Sequence, residues 1–524
     1  QRRTRELLHI YKSHYLFLDP NLIIRSFNLE TMRARASSNG EGLIASLKHV
    51  RCFASYLTLL LLLLSKLSAA SSPLNQRDHF LLNLSYGRLP TSSQWPPLNS
   101  TEVASFSSKA DNWLRHALRQ GDAGHIQFGQ VMPQVLYSDP NMTSPLKYDD
   151  VGDSAAWTGH LLAALVHKYY IDEDPTLLPY ISEIINAWDF YTHNCTGMHG
   201  FVPRAWATPS STSKPWAAFH NYFGVNNPSL YNCSAQGNTN MVWQGGSSRD
   251  TYIGVLFGLG STLMTLKHKP AALQQYTLAQ TVFERIFDKL SSDLYFIVYP
   301  DTCTKANWKE CVPVNPTPTF IAAYERVALF VNPAKYKNVQ SHYNKWIKVA
   351  LATESITPPG HSGYYANNLL SACWYIILRM ETMVAGQHLT DIKTAFSKLL
   401  VQYRPHLQAP LNGYWVAATN DTTNVYDTLT KALLWDFPNP PAPETYVNQS
   451  SNTLYGPNVQ CSEGCGCSTY AMLVRDRPPN EFVWQITPTK LESGAGSLPA
   501  TTPKTEFGGA FLTPYWVWRT KGLF

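Results

Sequence analysis

The sequence has no large excess of charge of one sign that would favour nucleic acid as a partner. Its formal net charge is only +6 over 524 residues. Residues 1–70 are rich in Arg and Lys, so the rest of the chain is close to neutral. A nucleic-acid-binding domain usually carries a clustered basic surface. We therefore expect no nucleic-acid partner.

Long hydrophobic runs are also scarce, and the longest is typical of a targeting segment. The first methionine is Met32, and 1–31 are expected to be upstream sequence outside the working protein. A basic region, the apolar run 57–64 and small residues follow, as in a secretory signal peptide over 32–70. The run is shorter than the roughly 20 residues that a membrane-spanning helix needs. We predict that the leader 1–70 is removed and that the protein is secreted, without a membrane span; an uncleaved N-terminal anchor is the alternative.

The signatures of several enzyme classes are missing. The chain contains no Gly-x-Ser-x-Gly, no His-Glu-x-x-His, no phosphate-binding glycine loop and no dinucleotide-binding fingerprint. Serine hydrolase, zinc protease and nucleotide-dependent activities are therefore unsupported. We expect no cofactor and no metal, with Ca²⁺ on Asp149, Asp150 and Asp153 as the alternative that stays open.

The cysteines beyond the leader are even in number, which in an exported chain favours disulfide bonds. Those expected to form disulfides are Cys195, Cys233, Cys303, Cys311, Cys461 and Cys467. The first two are expected to pair, as are the next two, each pair closing a long loop. The last two belong to a tight cluster with Cys465, whose interpretation as a metal site lacks a fourth ligand. Cys373 lies in an apolar helical run and is expected to be a core thiol.

Acceptor sequences for N-glycosylation are frequent, with seven asparagines followed by x-Ser or x-Thr. They are Asn83, Asn99, Asn141, Asn194, Asn232, Asn420 and Asn448. Together with the signal peptide, they predict a glycoprotein of a eukaryotic secretory route.

Helical periodicity predicts an all-α dominated fold built of antiparallel hairpins. The predicted helices are 102–119, 152–170, 176–193, 248–267, 271–290, 317–331, 334–352, 363–385 and 388–403. Short turns within pairs alternate with longer loops between pairs, so the long loops collect at one end, as is typical of functional loops. We divide the chain into an extended lead-in 71–101, a hairpin domain 102–440 and an irregular, aromatic and Cys-rich closing segment 441–524. A helical array without a cavity is the structural alternative.

Two of the predicted helices begin with matching polar segments. Residues 152–159 read Gly-Asp-Ser-Ala-Ala-Trp-Thr-Gly, and 247–252 read Ser-Ser-Arg-Asp-Thr-Tyr. With the hairpin rhythm, these segments give residues 103–440 a resemblance to the six-hairpin glycosidase-like proteins. The resemblance implies an α/α toroid and a secreted glycoside hydrolase, polysaccharide lyase or related enzyme.

Carboxylates at these helix starts are the candidate catalytic groups, because glycoside hydrolysis uses an acid and a base or nucleophile. We select Asp250, Asp153 and Asp150. The first two could equally be structural carboxylates at a helix N-terminus, and Asp150 a solvated loop charge. A helix N-terminus opposes a raised pKa, which favours a base or nucleophile over a proton donor at Asp250 and Asp153.

The candidate substrate-binding residues combine one cation with aromatic rings near the same loops. They are Arg249, Tyr252, Trp157, Trp243, His361, Tyr364 and Trp415. Sugar rings stack on aromatic faces, but loop packing is the simpler explanation for any single tryptophan. Arg249 pairs with Asp250 or reads a substrate carboxylate.

Two functions from different classes follow. The first is an enzyme that acts on a polysaccharide or glycan, a hydrolase before a lyase. A lyase would use His361, Tyr364 or Tyr365 as base and Asn367 or Arg404 to neutralise a uronate. The second is a non-catalytic extracellular coat or matrix glycoprotein, with self-assembly as an open alternative. Two carboxylates facing one cavity about 5–10 Å apart would favour the enzyme.

Overall fold

Helices dominate the structure, as the periodicity predicts. The computed structural model describes residues 99–224, 230–233, 241–298, 312–313, 318–353, 364–403, 407–421, 425–439, 473–477, 482–485 and 503–523. Its helices are α1 (Ser100–Ala117), α2 (Ser154–Asp172), α3 (Leu178–Phe190), α4 (Lys214–Phe223), α5 (Arg249–Leu266), α6 (Leu273–Ser292), α7 (Pro318–Val331), α8 (Gln340–Thr353), α9 (Tyr364–Val384), α10 (Leu389–Tyr403), α11 (Ala409–Thr419), α12 (Val425–Asp436) and α13 (Gly509–Arg519).

The described strands are short, and all of their pairings are antiparallel. They are β1 (Ile126–Gln127), β2 (Gln130–Val131), β3 (Gln134–Tyr137), β4 (Pro145–Asp149), β5 (Ala205–Ala207), β6 (Leu230–Asn232), β7 (Val242–Gln244), β8 (Phe296–Ile297), β9 (Val312–Pro313) and β10 (Lys504–Glu506). The sheet orders are β1-β2, β10-β3-β4, β5-β7-β6 and β8-β9. Strand β4 of the second sheet leads the chain into α2, and strand β7 of the third sheet leads it into α5.

Six helices are buried along most of their length: α2, α5, α7, α9, α11 and α13. Their sequences are apolar on most faces, as expected for helices inside a core. Helix α2 packs on α5 and on α13; α5 packs on α7 and α9; α9 packs on α7 and α11; and α11 packs on α13. One further helix packs on each of them: α3 on α2, α6 on α5, α8 on α7, α10 on α9, α12 on α11 and α1 on α13. The larger hydrophobic core of the described chain includes these six helices, and a second, smaller cluster lies among β3, β4, β5 and α4.

Helices α2 and α5 cross with their backbones in direct contact, because small residues line the crossing. A Cβ atom on Gly159 would lie 1.9 Å from the carbonyl oxygen of Gly254. A Cβ on Gly254 would lie 2.4 Å from the Cα atom of Ala156, and one on Gly258 would lie 2.8 Å from the Cα of Gly159. The glycines of α5, which lower its helix propensity, are what allow this approach.

The sequence predicts too little helix in two regions. The loop 194–246 contains α4, which begins with a Ser213 N-cap and a proline in its first turn, and strands β5, β6 and β7. Beyond 404 the chain forms α11, α12 and α13, although short irregular segments are expected there. Pro410 lies in the first turn of α11, where proline is tolerated. Gly413 and Pro514 lie inside their helices, where burial among other helices outweighs their low propensity.

Cys195 and Cys233 form a disulfide bond, as predicted. The bond joins the end of the short π-helix Tyr191–Cys195, which follows α3, to the residue after β6. Cys373 is buried in α9. The other predicted half-cystines, Cys303, Cys311, Cys461 and Cys467, lie outside the described residues.

Removal of this disulfide should destabilise the fold substantially. The two cysteines are 38 residues apart in sequence, and the chain-entropy model gives roughly 4 kcal/mol for a loop of about that length. We expect the Cys195→Ser, Cys233→Ser double variant to lose roughly 2–4 kcal/mol of unfolding free energy in denaturant titrations. A loss below about 1 kcal/mol would contradict the prediction, and peptide mapping without reductant checks the pairing.

Two histidines of helix α2, His160 and His167, are buried. Burial lowers the pKa of both side chains to about 3, and the charge of Arg379 adds to this effect at His167. An unfolded histidine titrates near 6.5. The stability that these neutral side chains contribute is therefore fully present above pH 6.5 and is lost as the pH falls toward 3.

The unfolding free energy should fall as the pH is lowered from 6.5 to 5. The carboxylates of the unfolded chain stay mostly ionised in this range, so the histidines dominate the change. Each histidine contributes up to about 1.4 kcal/mol per pH unit in this window. Denaturant titrations at both pH values should give a smaller decrease for His160→Leu than for wild type. Phe257→Leu, a change in a ring 5.1 Å from that of His160, is the control and should keep the wild-type decrease. An equal decrease in all three proteins would contradict the prediction.

Candidate functional site

The candidate site begins at the N-terminus of α5. Ser248 is the N-cap, and its side-chain oxygen accepts a hydrogen bond from the Thr251 N–H at 3.3 Å. Asp250 lies in the first turn and is half-buried. The turn chemistry of the Gly-Gly-Ser-Ser segment thus places the carboxyl group at the start of a buried helix, as predicted.

Asp153 occupies the matching position before α2. It ends a short 3₁₀ helix, Val151–Asp153, and is the N-cap of α2 by position, but its side chain makes no capping hydrogen bond. The carboxylate instead pairs with the guanidinium of Arg204, with Asp153 Oδ1 and Arg204 Nη2 2.7 Å apart. Both side chains are partly exposed, 29% and 27%. The pair is therefore accessible to a ligand.

Arg204 joins the two segments that lead into α2 and α5. Its Nε donates to the carbonyl oxygen of Gly152, and its Nη1 donates to that of Gly246 at 3.4 Å. Its own carbonyl accepts from the Ala155 N–H at 3.0 Å, and its N–H donates to the Gln244 carbonyl at 3.1 Å. Backbone and side chain together hold the two helix starts next to each other.

Asp250 is in an environment that favours its neutral form. Burial is the largest effect and raises the pKa of its carboxyl group. The positive charge of Arg249 lowers this pKa, the negative charge of Asp153 raises it, and a hydrogen bond from Tyr365 and the charge of Arg204 lower it. The net shift is upward. This direction is opposite to the one expected from the position of Asp250 at a helix N-terminus.

Asp150 lies at the edge of the same group of residues. It has a left-handed backbone, with φ at 56°, and its side chain is exposed. The nearby phenol of Tyr222 has a raised pKa, chiefly because of burial, and the charges of Asp150 and Asp153 contribute. The backbone of Gly152 and the charge of Arg204 act in the opposite direction and lower this pKa. All three predicted catalytic carboxylates are thus brought into one region.

Three residues of the site are not among the catalytic and substrate-binding residues selected from the sequence: Arg204, Tyr222 and Tyr365, the last of which is considered there only as a possible lyase base. Arg204 lies in a loop without periodicity, and no sequence signal indicates its role. Tyr222 lies near the end of α4, whose Ser213 cap and following proline are a recognisable helix start. Tyr365 is the second residue of α9, next to the selected Tyr364, and only the structure distinguishes the two.

The tryptophans selected for sugar stacking lie in the core, which corrects that expectation. Trp157 stacks on Phe482 with 5.1 Å between ring centroids. Trp243 stacks on Tyr231 at 4.7 Å. Trp415 is buried in α11. Stacking on a sugar requires an open ring face, and these buried rings do not provide one.

Tyr252 and Tyr364 are also buried. The hydroxyl of Tyr252 accepts a hydrogen bond from the Val202 N–H at 3.2 Å. Tyr364 lines a small cavity with Tyr403 and Leu411. Both tyrosines are covered by protein, whereas Arg249 is half-buried at the first position of α5. His361 lies outside the described residues.

The acidic residues before α2 are engaged by cations of the protein. Asp149 lies 3.3 Å from Lys147 and 3.7 Å from Lys504, and Asp153 pairs with Arg204. Within the described ranges, no group of three or more His, Cys, Asp and Glu side chains has the arrangement of a metal site. The observed pairings give no support to the Ca²⁺ alternative.

The described acceptor asparagines lie at accessible positions. Asn99, Asn141, Asn232 and Asn420 are exposed, and Asn194 is half-buried. Asn99 Oδ1 caps α1, and Asn420 Oδ1 accepts from the Gly522 N–H at 2.8 Å. A glycan attaches to the side-chain nitrogen, so these hydrogen bonds are compatible with modification. Asn83 and Asn448 lie outside the described residues.

Comparisons with known proteins do not assign a function to these residues. No protein-family model, curated protein or solved structure matches the chain. In the part of the chain that the structure describes, none of the helices has the length and apolar character needed to cross a membrane. Interpretation of the site therefore depends on its own chemistry.

Proposed function

We propose that the protein is a glycoside hydrolase in which Asp250 is the general acid and Asp153 the base or nucleophile. The observation that carries the proposal is the contrast between the two carboxyl groups. Burial raises the pKa of Asp250, whereas Asp153 is partly exposed and paired with Arg204. Environments that separate two neighbouring carboxyl groups in this way are typical of acid and base assignments.

In the proposed reaction, Asp250 donates its proton to the glycosidic oxygen as the bond to the anomeric carbon breaks. Asp153 either accepts a proton from the attacking water or bonds to the anomeric carbon, which water then hydrolyses. The reaction consumes one water, restores both carboxyl groups and needs no cofactor. We propose that Asp150, whose side chain is exposed, binds substrate hydroxyl groups, and that Arg249 lies beside the acid.

A polysaccharide lyase is less well supported by the same residues. A lyase needs a base that loses its proton readily. Burial raises the pKa of Tyr364 to about 12, and burial with the charges of Asp153 and Asp250 raises that of Tyr365 further. Both phenols therefore stay protonated. Of the residues expected to neutralise a uronate, Asn367 donates from its side chain to the Tyr403 hydroxyl, whereas Arg404, like the alternative base His361, lies outside the described residues.

We propose that the six buried helices form the inner layer of an α/α toroid. Their mutual contacts and the packing of one further helix on each of them support six hairpins, the last made of α13 and α1. The acidic residues then lie at the end where the inner helices α2 and α5 begin. We also propose that the protein is secreted and glycosylated, supported by the leader pattern and the exposed acceptor asparagines, and that its partner is a polysaccharide or glycan.

The proposal is tested with purified full-length protein and a panel of neutral and acidic polysaccharides. Release of reducing ends without absorbance from unsaturated uronates is the expected result. Absorbance from unsaturated products would favour a lyase. Binding without turnover across the panel would overturn the hydrolase assignment and favour the coat or matrix glycoprotein.

A further inference from the structure

Gly152 keeps a space open beside Asp153, although neither its backbone nor its packing requires glycine. It lies in the 3₁₀ helix Val151–Asp153 and does not have a positive φ, so other residues can adopt its conformation. The nearest neighbouring atom to a Cβ added on Gly152 would be 3.5 Å away, which is ordinary contact. Gly152 is only half-buried, so the space that its missing side chain leaves can be reached from solvent.

Two polar groups border this space. The added Cβ would lie 3.5 Å from the hydroxyl oxygen of Tyr222 and 3.7 Å from Nη2 of Arg204. Both groups are therefore within reach of one ligand group placed over Gly152. The same Nη2 lies 2.7 Å from Oδ1 of Asp153, so a ligand in this space would lie next to the proposed base or nucleophile.

The Tyr222 hydroxyl is held in place by the packing of α4. The side chain of the preceding residue, Asn221, donates to the carbonyl oxygen of Leu146 at 2.8 Å, which fixes the end of α4 on β4. Tyr222 itself is half-buried, and burial raises the pKa of its phenol. The hydroxyl therefore keeps its proton at neutral pH and can donate it in a hydrogen bond to a ligand.

The guanidinium of Arg204 can also donate to a ligand. It has five N–H groups. In the described part of the chain, three of them donate, to the carbonyl oxygens of Gly152 and Gly246 and to Asp153. These contacts fix the plane of the guanidinium and leave two N–H groups for oxygen atoms of a ligand.

We propose that the space over Gly152 is a subsite that binds one neutral sugar unit through Tyr222 and Arg204. Sugar hydroxyl groups accept from these donors and donate to carboxylates. Asp150 and Asp153, on either side of Gly152 in the chain, set two carboxylates against one guanidinium, which disfavours a negatively charged uronate. The inference deepens the proposed hydrolase and rests on it for the place of bond cleavage, whereas binding of the sugar does not.

The closing experiment measures binding by calorimetry in full-length protein carrying Asp250→Asn, so that hydrolysis does not interfere. The probes are the neutral hexasaccharides of glucose, xylose and mannose, with hexagalacturonate as the acidic comparison. Gly152→Ala fills the space, and Tyr222→Phe removes one donor and keeps the ring. Each should weaken binding of a neutral hexasaccharide about tenfold, the scale of one lost hydrogen bond, and should melt close to the parent protein.

Two matched variants are the controls and should bind as the parent does. Gly413→Ala adds a methyl group that also makes ordinary contact, at 3.4 Å. Tyr180→Phe removes a phenol hydroxyl that bonds to Gln120 at 2.5 Å, on the outer helix α3. If Gly152→Ala fails to fold, Tyr222→Phe carries the test alone. Parent-like binding in a folded Gly152→Ala protein, tighter binding of hexagalacturonate, or no binding of any neutral probe would overturn the subsite.

Turnover separates the subsite from the proposed hydrolase. In protein with Asp250 intact, KM for a hydrolysed glycan should rise about tenfold in both variants with kcat little changed, because the lost contact is made in the ground state and the transition state alike. Weaker binding in both variants of a protein that hydrolyses no glycan would support the subsite and refute the hydrolase. Hydrolysis with a wild-type KM in both variants would overturn the subsite and leave the hydrolase standing.

Discussion

Asp250→Asn should lower turnover roughly 10²–10⁴-fold, the usual contribution of a general acid. The amide keeps the size and shape of the carboxyl group but has no proton to transfer to a glycosidic oxygen. Because burial favours the neutral form of Asp250, a neutral amide fits the same surroundings. The loss of a first-turn carboxylate costs only about 0.3–1 kcal/mol of stability. The variant should therefore lose turnover while its melting temperature stays close to that of the wild type.

The measurement is turnover per folded molecule together with melting temperature. Asp172→Asn is the matched control, because Asp172 pairs with Lys168 at the opposite end of α2, and it should keep wild-type turnover. Asp153→Asn should also lose turnover while melting close to wild type, since exposed ion pairs contribute at most about 1 kcal/mol. An Asp250→Asn protein that melts early yet retains its turnover per folded molecule would end the catalytic assignment.

Gly159→Ala should destabilise the protein by about 3 kcal/mol, at the upper end of the usual cost of overpacking. The new methyl group would lie 1.9 Å from the Gly254 carbonyl oxygen. Both groups belong to backbones in helices, so neither can rotate away, and α2 and α5 must separate. The same movement displaces Asp153 relative to Asp250. A misplacement of about 1 Å can cost roughly 10²-fold in rate, so turnover per folded molecule should fall as well.

Gly413→Ala in α11 is the control for this change. Its nearest atoms to an added Cβ lie 3.4 Å away, which is ordinary contact, and alanine gains up to about 1 kcal/mol of helix propensity. We expect wild-type turnover and equal or slightly higher stability in denaturant titrations. If Gly159→Ala instead melts like wild type, the close crossing does not set the spacing of the two helices.

The sequence alone determined most helix positions and the local chemistry of their starts. Apolar periodicity predicted the helices between 102 and 403 except α4, and Ser248 caps α5 as its sequence context indicates. The disulfide between Cys195 and Cys233 was also predictable, because both lie in one long loop. These features depend on near neighbours in the chain. A reader of the sequence can therefore infer them without a tertiary structure.

Tertiary structure decided the protonation preference of Asp250 and the partner of Asp153. Local reasoning placed both at helix N-termini and expected the dipole to dominate, but burial depends on which helices pack around them. Arg204 and Tyr365 reach the site from segments distant in sequence, so no local pattern assigns them. No local pattern predicts the burial of Trp157, Trp243 and Trp415 either. A tryptophan in or near a polar loop becomes a core residue when aromatic rings from distant segments cover it. Sequence fixes which side chains are available near each helix start, whereas packing determines which of them meet and how far water is excluded.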